Sequence, residues 1–150
     1  MTGKTEKDIA QFFRGRDTSL QLFNILRKLI ERTRSPKIEV SKTQISFGEL
    51  YKYLWVWLPQ KWIKKRRENS ITLTIATDKK IKSDKIEESV QPKKGYWTHH
   101  LIIENKKDID KEVEGLIQAS IDFYLKRLEN KRTKKTNLSS LKNKNKPVKK

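Results

Sequence analysis

Hydrophobic positions recur at helical spacing through the first third of the chain and then switch to a period of two. Thr5 and Asp8 lead into Ile9, Phe12 and Phe13, the capped start and one-sided apolar face of a short helix that can stop at Gly15. Asp17 or Thr18 can cap a second helix. Gln21 stands in capping-box position after Thr18, and Leu22, Phe23, Leu26, Leu29 and Ile30 form a single stripe. Ser35-Pro36 closes it, because proline holds the preceding residue in extended backbone. From Lys37 onward Ile38 and Val40, then Ile45 and Phe47, alternate with polar residues and predict strands, with Gly48 and Glu49 at a turn. Tyr51, Tyr53, Trp55 and Trp57 are then placed on one face of a strand and Leu54, Val56 and Leu58 on the other. A strand apolar on both sides belongs inside a sheet. Ile71, Leu73 and Ile75 alternate with Thr72, Thr74 and Ala76 in a further strand, and Tyr96 to Ile103 supplies another.

Two connections interrupt this pattern. Pro59 to Ser70 is long for a hairpin, and Thr77 to Gly95 is polar, with a helical turn expected around Asp84 to Val90. The last element is a helix that Asp108 or Asp110 can cap. Its wide docking face comprises Val113, Leu116, Ile117, Ser120, Ile121, Tyr124, Leu125 and Leu128, with acids in its first turns and Lys126, Arg127, Lys131 and Arg132 at its end, as the helix dipole favours. The expectation is an α+β fold: a mostly antiparallel sheet of four to five strands, two N-terminal helices and one long C-terminal helix. One domain spans residues 1–130, followed by a disordered basic tail, residues 131–150.

Charge changes this picture more than composition does. The formal net charge is +18, and residues 131–150 hold nine of the basic side chains and no acid, so half of the excess sits in that tail. Such a surface attracts polyanions, nucleic acid first among them. The absence of cysteine excludes a disulfide framework and thiolate chemistry, and leaves only His99 and His100 as nitrogen ligands, so neither a metal nor a cofactor is expected. Residues 1–8 are polar, and no run approaches the roughly 18 apolar residues of a membrane span. A cytoplasmic protein without a membrane span is the expectation.

Candidate chemistry is sparse. Gly3-Lys4-Thr5 lacks the earlier glycine and preceding strand of a phosphate-binding loop. Glu104-Asn105-Lys106 has the spacing of one half of a metal-dependent nuclease, but Asp78 to Lys80 and Glu129 to Lys131 repeat it by composition alone. Adjacent His99 and His100 must point to opposite faces of a strand, so at most one can enter a given pocket, and His99, if it shares the face of Trp97 and Leu101, is first read as semi-buried and satisfied by one hydrogen bond. Lys61, Trp62, Lys64, Lys65, Arg66 and Arg67 interleave cations with an aromatic, the composition of a single-strand binder in which bases stack and cations track phosphates. The competing reading is a solvated loop.

Four segments taken in order carry a resemblance: Val40-Ser41-Lys42-Thr43-Gln44-Ile45-Ser46-Phe47, Leu54-Trp55-Val56-Trp57-Leu58-Pro59, Gly95-Tyr96-Trp97-Thr98-His99-His100 and Asp108-Ile109-Asp110-Lys111-Glu112-Val113. From Ile9 to Leu128 the chain resembles a small bacterial domain family of unknown function, some of whose members are labelled predicted transport proteins. The resemblance implies an α+β domain with helices on a mostly antiparallel sheet and no particular reaction. It marks Lys42, Gln44, Trp55, Trp57, Trp97, His99 and His100 as candidate ligand-binding positions. The leading expectation is a non-enzymatic binding or adaptor domain that takes up nucleic acid without sequence specificity. A ligand-binding or enzymatic domain with a pocket near His99 and Lys42, and a protein-interaction domain with incidental charge, are the alternatives.

Overall fold

Gly15 adopts a φ of 76° in the turn between the first two helices, a left-handed conformation that glycine enters without steric cost. That turn separates α1 (Gly3–Phe12) from α2 (Asp17–Thr33). The computed structural model describes residues 3–33, 35–58 and 70–148, with side chains through Lys131. Arg27 of α2 bonds through two guanidinium nitrogens to the Glu6 carboxylate of α1 and lies 3.7 Å from Glu31, which fixes the helix pair from outside. Inside, Phe13 stacks on Phe23, and Phe23 on Phe47 of the sheet, with ring centroids 5.2 and 6.0 Å apart.

The sheet has six strands: β1 (Ile38–Val40), β2 (Gln44–Phe47), β3 (Leu54–Trp57), β4 (Ile71–Thr77), β5 (Ile86–Lys93) and β6 (Tyr96–Ile103). Their spatial order is β1-β2-β3-β4-β6-β5, and every neighbouring pair is antiparallel. The sheet is therefore richer than the four to five strands expected. Ile45, Phe47, Leu54, Val56, Leu73, Ile75, Leu101 and Ile103 join the helices in one hydrophobic core. β4 is buried along its whole length.

A 3₁₀ turn, Lys106–Asp108, follows β6. Asn105 Oδ1 accepts from Lys107 N at 3.1 Å, and Asp108 Oδ2 accepts from Glu104 N at 2.8 Å and Asn105 N at 3.2 Å. Those bonds give the Glu104 to Asp108 segment a local structural role. α3 (Lys111–Val148) then starts at Asp110, whose Oδ1 accepts from Val113 N at 3.0 Å. Ser120 on its buried face accepts from Ala76 N at 3.2 Å and donates to the Tyr53 carbonyl, tying the helix to β4 and to the entry of β3.

Two features depart from the pattern-based expectation. The polar stretch expected to carry a helical turn is strand β5. Its Ile86 and Val90 stand four apart and mimic a helical face, but pairing with β6 and two register irregularities set its conformation. It lies at the sheet edge and is mostly exposed, so it needs few apolar residues, and its charges and Pro92 protect that edge. Tyr51 and Tyr53 precede β3. Tyr53 turns toward α3, where its ring meets that of Tyr124 at 4.6 Å, because its carbonyl is bound by Ser120 and Ala76. The helical backbone of α3 continues to Val148. Helical hydrogen bonds are local and continue without a docking face.

Candidate functional site

Strand register sorts the candidate residues between two faces. On the face away from the helical core, Ser46, Trp55, Thr74, His100 and Glu88 stand opposite one another in a row across five strands. Gln44, Trp57, Thr72 and Ile102 form the neighbouring row. Ser46, Thr72 and Thr74 are buried, whereas Trp55, Trp57 and His100 beside them are half-buried. Small hydroxyl side chains thus lie deep between large partly exposed rings.

Hydrogen bonds fix two of those rings. Trp57 Nε1 donates to Thr74 Oγ1 at 3.1 Å, and Thr74 Oγ1 lies 2.7 Å from His100 Nδ1. An indole N–H can only donate, so the threonine oxygen accepts from it. The buried hydroxyl hydrogen is then satisfied by donation to Nδ1. This assignment leaves the neutral imidazole proton on Nε2, the nitrogen that faces Glu88 Oε1 at 3.9 Å. The two rows thus hold the Trp57 indole and the His100 imidazole in defined orientations beside the Trp55 ring, a geometry suited to stacking against flat ligands and to donating one hydrogen bond beside them.

His99 belongs to the opposite face and does different work. It is fully buried; its Nε2 lies 2.8 Å from Thr77 Oγ1 and its Nδ1 2.7 Å from Ser89 Oγ. Thr77 donates its hydroxyl hydrogen to the Lys79 carbonyl at 2.6 Å, so it accepts from His99 Nε2–H, and Ser89 donates to Nδ1. Neutral His99 is therefore satisfied at both nitrogens and clasps β5 and β6 to the end of β4. Burial holds its pKa below the ordinary histidine value, and the nearby Lys80 charge pushes the same way. Trp97 shares this face of β6, with Lys80 Nζ 5.8 Å from its ring.

The structure therefore brings together Gln44, Trp55, Trp57 and His100, and separates them from Trp97 and His99. Lys42 is exposed in the β1–β2 turn next to Gln44. Two strands lie between β2 and β6, so Lys42 and His99 do not converge on a pocket. Lys61, Trp62, Lys64, Lys65, Arg66 and Arg67 lie outside the described residues. Their segment leaves the sheet at Leu58 and returns at Ser70, beside the paired Trp57 and Thr72. Sequence reasoning missed Thr74, Glu88, Ser89 and Thr77. The alternating threonines were visible as strand, but the cross-strand partner of each is set by register, which one chain's pattern does not display.

Among the described residues no three His, Asp or Glu side chains are grouped to hold a metal ion, and no described helix is long and apolar enough to cross a membrane. No curated protein and no solved structure matches the chain. One family model does, over residues 9–124, and its description is a domain of unknown function, DUF5655.

Proposed function

The chain belongs to the DUF5655 family, and from the chemistry of its site we propose that it is a non-enzymatic binding domain that takes up single-stranded nucleic acid without sequence specificity. The observation that carries this reading is the pair of half-buried indoles, Trp55 and Trp57, side by side on the face away from the helices, with Trp57 held by Thr74. Stacking accepts any base, because every base has a π face. The formal net charge of +18 supplies the complementary attraction to phosphates, and the cation-rich segment from Lys61 to Arg67 follows Trp57 closely in the sequence. His100 Nε2–H adds one donor at the rim of the same face.

Fluorescence anisotropy with labelled single-stranded and duplex oligonucleotides, over a series of salt concentrations, tests the proposal. The full chain is expected to prefer the single strand. Trp55→Ala is expected to weaken that binding by roughly tenfold, the scale of one lost stacking contact, with circular dichroism unchanged. Removing the charges at Lys61, Lys64, Lys65, Arg66 and Arg67 should weaken both forms and flatten the salt dependence. Equal binding of both forms that survives Trp55→Ala and Trp57→Phe would reduce the effect to generic charge attraction and sink the reading.

A further inference from the structure

Phe123, Arg127 and Lys131 recur every four residues on one side of α3, and that side faces Tyr51 from the β2–β3 connection and Tyr96 at the start of β6. The Arg127 guanidinium carbon lies 3.9 Å from the Tyr51 ring centroid, 5.2 Å from that of Tyr96 and 5.5 Å from that of Phe123. Lys131 Nζ is 5.8 Å from the Tyr51 centroid, and Lys93 Nζ is 5.5 Å from that of Tyr96. Three cations are thus gathered around two tyrosine rings. Among the described residues none of the three forms an ion pair with a carboxylate, although Lys126 on the same helix reaches Asp78 at 3.9 Å. A cleft of about 390 Å³ opens among Tyr51, Arg127, Asn130 and Lys131.

Cation–π attraction explains where each cation sits, but not why a half-buried guanidinium and two exposed ammonium groups gather around the same rings with no carboxylate paired to them among the described residues. An anion in the cleft would remove their mutual repulsion. A guanidinium stacked on a ring keeps its N–H groups in its own plane, the geometry that meets two oxygens of a phosphate at once. We propose that this cleft is a phosphate-binding site, with Arg127 as the two-point donor, Lys131 and Lys93 as flanking charges and the Tyr51 ring as a wall on which an attached base stacks. The site is separate from the Trp55–Trp57 face and does not rest on the function proposed for it.

The test is an NMR titration of the ¹⁵N-labelled full chain at constant ionic strength with inorganic phosphate, adenosine monophosphate, adenosine and chloride in turn. Phosphate and adenosine monophosphate are expected to give saturable shifts at the Arg127 Nε–H and the Tyr51 and Tyr96 rings, leaving the Trp55 and Trp57 indoles unmoved. Tighter binding of the nucleotide would identify a phosphate carried by a base as the occupant, and equal binding would identify the free anion; both support the site. Lys131→Ala and Lys93→Ala, exposed positions whose loss leaves the core intact, should each weaken phosphate binding by about three- to tenfold, the effect of one charge-assisted contact at a partly screened site. Shifts matched by chloride, shifts that never saturate, or wild-type affinity in both lysine variants would overturn the assignment.

Discussion

His99 shows how one side chain can couple strand pairing to pH. Its folded-state pKa lies below the ordinary value of about 6.5, with burial as the main cause. The unfolded chain therefore takes up the proton more readily than the folded one. Its contribution to stability is intact above about pH 6.5 and is lost progressively as pH falls below that value toward the folded-state pKa. Urea unfolding at pH 7.5 and 5.5 should show a decline with a limiting slope of about 1.4 kcal/mol per pH unit. The decline should shrink in His99→Gln, which leaves His100 as the remaining histidine. Ser89→Ala removes one of the two partners and is expected to cost about 1 kcal/mol at neutral pH, where the ring is uncharged and its Nδ1 loses a donor.

At the scale of elements, the β2–β3 connection depends on Gly48. Its φ is 131°, and a Cβ placed there would stand 2.0 Å from the Tyr51 carbonyl oxygen and 3.0 Å from Lys52 Cα. Both obstacles are backbone, so no rotamer change relieves them. Gly48→Ala is expected to cost about 3 kcal/mol or more, read as a lowered melting temperature against wild type. Residues predicted as strand or helix by their period were legible wherever a face is buried: Leu22, Phe23, Leu26 and Ile30 in α2, Ile71, Leu73 and Ile75 in β4, and the Asp110 cap of α3. β5 was hidden because an exposed edge strand has no buried face to impose alternation. The site was half legible for a related reason. The two tryptophans and the opposed histidines are local facts of sequence, whereas the Thr74 bridge joins residues 17 and 26 positions away and exists only once the register is set.

On the scale of the whole molecule, charge and fold separate along α3. The apolar docking face ends at Leu128, while the helix continues to Val148 through a basic stretch. A chain ending after Arg132 keeps the docked turns together with Lys131, so its melting temperature should stay within about 2 °C of the full chain. The same truncation removes seven lysines, and the salt dependence of oligonucleotide binding should flatten accordingly. The strand order adds a kinetic consequence. β5 is hydrogen-bonded to β6 alone, at an exposed edge, while β4 sits between β3 and β6 and is buried throughout. Amide hydrogen exchange should therefore be graded across the sheet, fastest in β5 and slowest in β4. Because the His99 clasp is weakened by acid, lowering the pH should release the β5 amides by local opening well before it accelerates exchange in β4, so the sheet comes undone from one side rather than all at once.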